Sequence, residues 1–333
     1  MEGYQRIIIS RTDSIGDVIL TLPMAGLLKQ VFPGVELVFL GRSYTRPVID
    51  TCEHIDDFLD WDELAKMESS AAAEKIKEVK AGLIIHVFPR RTIAYLARKA
   101  GIPHRLGTTN RLYHWYTCNK LVRLSRRKSL LHEAQLNLRL IEKISGKKDI
   151  TLREIPFLYG MVNTKPLATD LQGMLDNEKM NIILHPGSKG SAREWGTANF
   201  CRLTGLLPPE KCKIFISGTA EEGSLMRDSG IFDAPNVTDL TGRMTLSQLI
   251  SFIGQCDVLV AASTGPLHIA AAMGIRAIGI YPPIRPMHPG RWAPLGIKAQ
   301  YIVKDRECSD CRNESPCHCM EGISPEEVAN LVC

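Results

Sequence analysis

Four short segments hold the residue types that could do chemistry, and each follows an apolar run. Ser14-Ile15-Gly16-Asp17 comes after Arg6–Ser10. If that run is a parallel strand, Asp17 lies at its carboxyl end, where open α/β sheets bind ligands. There it could act as a general base. It could equally be a helix-start carboxylate favoured by the helix dipole. Gly16 would allow a second molecule close to the backbone. The stretch His185–Trp195 contains Gly187, Ser188, Lys189 and Arg193. Its N–H groups and hydroxyls suit phosphate oxygens, and Lys189 or Arg193 could neutralise them. The Walker A order is missing, and a plain surface turn is the alternative. Ser263-Thr264-Gly265-Pro266-Leu267-His268 puts a proline where a first helical turn tolerates it. The N–H groups of that turn form a second anion site, which His268 could reach unless it is structural. Glu222, after Ser217-Gly218-Thr219, could accept from ribose hydroxyls or be an exposed helix-start Glu.

Ten cysteines are present. Cys52, Cys118, Cys201, Cys212 and Cys256 are scattered and read as buried free thiols of a reducing compartment. Cys308, Cys311, Cys317 and Cys319 form a C-x-x-C and a C-x-C pair. They could close a structural zinc site, remain free or redox-active thiols, or form disulfides.

Charge is uneven. The chain's formal net charge is +5, yet residues 90–128 hold eleven Lys or Arg and no Asp or Glu, leaving −6 for the rest. Such a run is either a solvated face or a site for a polyanion such as acidic lipid or a charged sugar. It has few aromatics and no nucleic-acid-binding signature, so no nucleic-acid partner is expected.

The elements that must position these residues alternate. Apolar runs at Arg6–Ser10, Val35–Leu40 and Gly82–Phe88 are separated by helical stretches at Asp17–Val31, Ala71–Val79, Thr92–Ala100 and Leu131–Ile144. Thr151–Thr169 is irregular and reads as a linker. Strands are then predicted at Asn181–His185, Lys213–Ser217, Asp257–Ala261 and Ala277–Tyr281, with helices at Leu246–Gly254 and Pro266–Met273. The pattern implies an α/β chain with two Rossmann-like, doubly wound domains facing across a cleft. Their expected spans are 1–160 and 170–333. With 44% hydrophobic residues and 23% charged, this is a globular composition. No apolar run nears the roughly 18–20 residues that span a bilayer, and the N-terminus has no secretory h-region, so a cytoplasmic protein is expected.

Together these motifs resemble glycosyltransferase family 9, the bacterial lipopolysaccharide heptosyltransferases, which have a GT-B fold. The matching residues are Arg11–Pro23, His185–Trp195, Gly218-x-x-x-Glu222, Asp239-Leu240-Thr241-Gly242 and Thr264–His268, in the family's order over nearly the whole chain. The resemblance implies an inverting transferase that needs no catalytic metal or other cofactor. It makes Asp17 the base that deprotonates the acceptor hydroxyl and Arg193 a contact to the donor diphosphate. Glu222 becomes the ribose carboxylate and Met244 a residue of the base pocket. Gly187, Ser188, Lys189, Ser263, Thr264, Gly265 and His268 fall in the donor loops. The implied donor is a nucleotide sugar, ADP-heptose; the implied acceptor is a lipopolysaccharide core or related anionic glycolipid. Ser14, Gly16, Arg90, Arg91, Arg105 and Arg111 are the acceptor candidates. The basic segment could also hold the enzyme on the inner face of the inner membrane. One departure stands out: Ser263 replaces the Asp of the family's Asp-Thr-Gly donor loop. Two rival readings share the architecture, a nucleotide-sugar epimerase and a non-catalytic nucleotide-sugar-binding protein.

Overall fold

The computed structural model describes residues 4–126, 129–285, 287–304 and 317–333. The chain divides into two compact units, Met1–Asn163 and Thr164–Cys333. The first contains β1 (Arg6–Ser10), β2 (Glu36–Gly41), β3 (Asp57–Asp60), β4 (Leu83–His86), β5 (His104–Thr108) and β6 (Lys120–Val122). These strands form one sheet in the order β3-β2-β1-β4-β5-β6, and every pair is parallel. Ile7, Ile8 and Ile9 on β1 are fully buried, as expected when helices cover both faces.

The second unit repeats the plan with β7 (Met180–His185), β8 (Cys212–Ile216), β9 (Val237–Asp239), β10 (Val258–Ala262), β11 (Arg276–Tyr281) and β12 (Gln300–Val303). The order is β12-β11-β10-β7-β8-β9, again all parallel. In both units the chain starts at the centre, builds three strands outward, then returns to build three on the other side. The reversal places a topological switch point between β1 and β4, and another between β7 and β10. Crevices outside the carboxyl ends of strands at such points are where doubly wound sheets bind ligands.

Three local expectations change. The helical stretch expected over Asp17–Val31 is two helices, α1 (Ile15–Ile19) and α2 (Leu22–Val31). Pro23 lies in the first turn of α2, where its missing N–H is harmless, so a new helix starts there. The Thr21 hydroxyl donates to the Asp17 carbonyl at 2.9 Å across the break. Second, part of the supposed linker is packed. Ile155–Leu158 is a 3-10 turn, Ile155 and Tyr159 are buried, and a Cβ on Gly26 of α2 would run into the Leu158 carbonyl. Third, β3, β5, β6, β9 and β12 lie where no strand was expected: the first four mix charged or polar with apolar residues, and β12 is the short run Gln-Tyr-Ile-Val.

The buried cysteines behave as small apolar groups. Cys52, Cys118, Cys212 and Cys256 are buried free thiols, and burial pushes Cys52 up to about 12 and Cys118 up to about 11. Among the described residues no helix is long and apolar enough to cross a membrane.

Candidate active site

In the first unit the loop after β1 is organised by a buried arginine. Arg11 is 3% exposed and pairs with Asp13 at 2.7 Å, with Asp17, and with Glu133 at 3.3 Å. Burial opposes its charge, but the three carboxylates outweigh burial and raise its pKa. The second oxygen of Asp17 accepts from the Ser14 hydroxyl at 2.5 Å. Both carboxylate oxygens are thus held. Ser14 is the N-cap of α1, yet its hydroxyl serves Asp17 instead of the helix N–H groups. Gly16 lies one residue into the same turn. Burial, only partly offset by Arg11, lifts the Asp13 carboxyl to about 6.

The network reaches far along the chain. Glu133 and Asn137 are one turn apart on α3 (Glu133–Leu140). Both receive hydrogen bonds from Arg11 and from Arg126, whose Nε lies 2.8 Å from Glu133. The Asn137 amide in turn donates to the Leu20 carbonyl at 2.9 Å, which anchors α1. Sequence reasoning missed Arg11, Asp13, Arg126, Glu133 and Asn137. The usable signal was weak: a Glu and an Asn four apart at the end of an acid-free basic run.

The four arginines proposed for the acceptor separate. Arg90, after β4, donates from Nε to the Thr12 hydroxyl at 2.6 Å and stacks on Phe88, so it lies against the Asp17 loop at the switch point. Arg91 and Arg111 are exposed. Arg105 sits on β5 with its guanidinium bonded to the carbonyls of Ile102 and Thr117, the latter at 2.7 Å. It locks the β5–β6 connection at the opposite end of the sheet from Asp17.

In the second unit the loops after β7, β8 and β10 lie side by side, because β7 pairs with both β8 and β10. The β7 loop turns sharply at Lys189 and Gly190, with φ of 48° and 75°. Ser188 fixes it: its N–H donates to Glu194 at 2.8 Å, and its hydroxyl accepts from Gly190 N–H at 3.2 Å. Lys189 is exposed at the turn, Arg193 is half-buried, and Trp195 closes the loop by donating to the Ile323 carbonyl at 2.9 Å.

Glu222 joins two of these loops. It begins α4 (Ala220–Met226) in a capping box, accepting from the Thr219 N–H at 2.8 Å. Its other oxygen lies where a Cβ on Gly187 would be, so any side chain there would have to displace the Glu222 carboxylate. Burial alone would raise its pKa; hydrogen bonds from Thr219, nearby His185 and the Lys189 N–H lower it overall, so it stays charged. Burial pushes His185 down to about 4, and its Nδ1 lies 2.9 Å from the Ser217 hydroxyl. Met244 is half-buried just after Gly242, whose N–H donates to the Gly218 carbonyl at 2.9 Å, at this same end of the sheet.

After β10, Thr264 caps α5 (Gly265–Ala272) without a side-chain cap bond. It is 4% exposed, and its hydroxyl is among the buried polar atoms of the described residues with no hydrogen-bond partner. The first-turn N–H groups of α5 open beside it, with Gly265 first and His268 buried in the next turn. Ser263 hydrogen-bonds the buried Tyr281 hydroxyl, which also donates to the Trp292 carbonyl at 2.5 Å. The arrangement suits a diphosphate held between two loops, with one buried hydroxyl and one helix N-terminus aimed at it.

The cysteine tail is divided. Cys317 and Cys319 are buried in the second unit's core, at 4% and 3% exposure, while Cys308 and Cys311 lie outside the described residues.

The profile of glycosyltransferase family 9 (heptosyltransferase) matches residues 71–320. A Haemophilus influenzae protein, named a glycosyltransferase without a stated sugar, is 28% identical over 90% of this chain and 88% of its own. A solved structure of Escherichia coli ADP-heptose LPS heptosyltransferase II superposes with a TM-score of 0.75 at 18% identity, covering 98% of this chain and 97% of that one. The E. coli heptosyltransferase WaaC with ADP gives 0.68 at 17% identity, covering 98% of both chains. The two doubly wound units are therefore those of a GT-B fold, and the chain belongs to glycosyltransferase family 9, the heptosyltransferases.

Proposed function

We propose that this enzyme transfers a heptose from ADP-heptose to a lipopolysaccharide core or related glycolipid, inverting the anomeric centre. The observation that carries the donor half is the adjacency of β7 and β10 at a switch point: the loop after β7 carries Lys189 and Arg193, and the loop after β10 carries the α5 N-terminus and the buried Thr264 hydroxyl, which has no hydrogen-bond partner among the described residues. A heptosyltransferase of this fold binds ADP, which supports ADP as the nucleotide. Glu222 then takes the ribose hydroxyls, and Met244 lines the base.

Asp17 takes the proton of the acceptor hydroxyl as that oxygen attacks the anomeric carbon. The bond from that carbon to the β-phosphate oxygen breaks, and the electron pair leaves with the diphosphate. Lys189, Arg193 and the α5 N–H groups meet the charge that develops there. Arg11 and Ser14 orient Asp17 for this step. Ser263, bonded to Tyr281, stands where a carboxylate is usual, so sugar recognition at this point is neutral. Diphosphate neutralisation by side chains and helix N–H groups requires no metal ion, and transfer is expected to persist in excess EDTA.

The test is incubation of the purified chain with ADP-heptose and a heptose-deficient lipopolysaccharide, reading product anomeric configuration by NMR. Inverted product appearing only with acceptor is expected. Turnover without acceptor would favour an epimerase, and nucleotide binding with no turnover a non-catalytic role.

A further inference from the structure

We propose that the outer face of the first unit around Leu112, Trp115 and Tyr116 is a docking surface for an anionic lipid bilayer. Leu112 is 86% exposed, Trp115 61% and Tyr116 53%. All three lie in the β5–β6 connection, on and just before a short helix, His114–Thr117. The neighbouring helix, Arg91–Lys99, presents Arg91, Tyr95, Arg98 and Lys99 on its outer side while Ile93, Ala94, Leu96 and Ala97 are buried. The two helices are tied together, since Arg98 donates to the Tyr116 carbonyl. Large exposed apolar and aromatic side chains are thus set among Arg and Lys on one continuous surface.

This combination has a specific physical meaning. Trp and Tyr favour the headgroup level of a bilayer, where an apolar ring and a polar edge are both satisfied. Lys and Arg favour the negative surface potential of anionic lipid, and they repel a cationic face. The chain from 90 to 126 supplies the charge with no Asp or Glu of its own. The nearest acids on the adjoining helix Ser69–Glu78 are already paired, Glu78 with Lys75 at 2.8 Å and Glu74 with Lys77 at 3.1 Å. The connection leaves the carboxyl end of β5, where Trp115 Nε1 donates to the Thr109 carbonyl at 3.1 Å, and runs back to Tyr116 and Thr117, which Arg98 and Arg105 tie toward the amino end of the sheet, so the patch lies along the side of the first unit.

This rests on the glycolipid reading for its purpose, but it is tested with neither donor nor acceptor, so the two can fail separately. The full chain is sedimented with vesicles of phosphatidylglycerol and phosphatidylethanolamine, and with vesicles of phosphatidylcholine alone. Binding to the anionic vesicles is expected to be stronger by about tenfold or more. The double variant Leu112→Asp, Trp115→Ala is expected to lose about tenfold of that binding, with an unchanged melting temperature because both positions are exposed. Brominated phosphatidylglycerol is expected to quench tryptophan fluorescence in the parent and not in Trp115→Phe, which should still bind. Equal binding to both vesicle types, unchanged binding of the double variant, or quenching that survives Trp115→Phe would overturn the assignment. So would a patch-dependent dimer that anionic vesicles do not dissociate, because a second copy would then own this face.

Discussion

Asp17 is held at both carboxylate oxygens, by a buried guanidinium on one side and by a hydroxyl on the other. In the proposed role of base, Asp17 loses function with the loss of one proton-accepting oxygen, not through collapse of the loop. Asp17→Asn is expected to lower kcat by about 10²–10⁴ while nucleotide affinity stays within about twofold. Equal turnover by the variant would remove Asp17 as the base. Thr264 makes the complementary case. Its buried hydroxyl has no hydrogen-bond partner among the described residues. Thr264→Val should therefore leave the melting temperature unchanged or raise it slightly. It should nevertheless weaken ADP binding by about tenfold or more, since a hydrogen bond to a charged group contributes about 1.5–3 kcal/mol. Unchanged ADP affinity in a calorimetric titration would take Thr264 out of the donor site. Residues of this kind were legible early, because Gly, Ser, Thr and Lys cluster just after apolar runs. The Arg11–Glu133 pair was not legible: its members are 122 positions apart, and each alone looks like an ordinary surface charge.

At the level of elements, chemistry depends on how closely one loop approaches the next. Gly187 is small because the Glu222 carboxylate occupies the space a side chain would take. Gly187→Ala must push Glu222 out of its place between the β7 loop and the α4 cap. Nucleotide affinity is expected to fall by about tenfold or more, with a loss of stability of about 1–3 kcal/mol from the strained loop. Wild-type affinity in this variant would mean that Glu222 does not touch the nucleotide. The central strands were readable from sequence because β1, β4, β7, β10 and β11 are short apolar runs whose aliphatic residues are buried. The outer strands were not. β5 is His-Arg-Leu-Gly-Thr and β6 is Lys-Leu-Val, so the charge that identified the basic segment also hid the two strands within it. The helix break at Leu20–Thr21 was signalled by Pro23, though the amphipathic pattern ran straight through it.

Across the whole molecule, buried histidines set how the fold responds to acid. His86 is fully buried between strands and stacks on His114, and neither of its ring nitrogens has a hydrogen-bond partner among the described residues. Burial, with His114 and Arg105 nearby, pushes it down from 6.5 to about 3, and burial pushes His185 down to about 4. Above pH 6.5 neither the folded nor the unfolded chain protonates them. Below it the unfolded chain takes up protons that the folded chain refuses, so stability falls with pH, by up to about 1.4 kcal/mol per unit for each group. Asp13, lifted to about 6, works in the opposite sense between 3.8 and about 6. The clean readout is therefore a difference: His86→Leu should lose less stability than the parent between pH 7 and pH 5 in urea unfolding. An identical loss in both would show that His86 is not refusing a proton.

Both units share one strand order, yet the candidate donor loops all belong to the second. The central claim is that this second sheet holds a nucleoside diphosphate between its β7 and β10 loops. Isothermal titration of the full chain with ADP, UDP, GDP and CDP tests it most directly. Saturable, one-to-one binding that favours ADP and weakens in Thr264→Val is the expected result. No binding by any of the four nucleotides would contradict it.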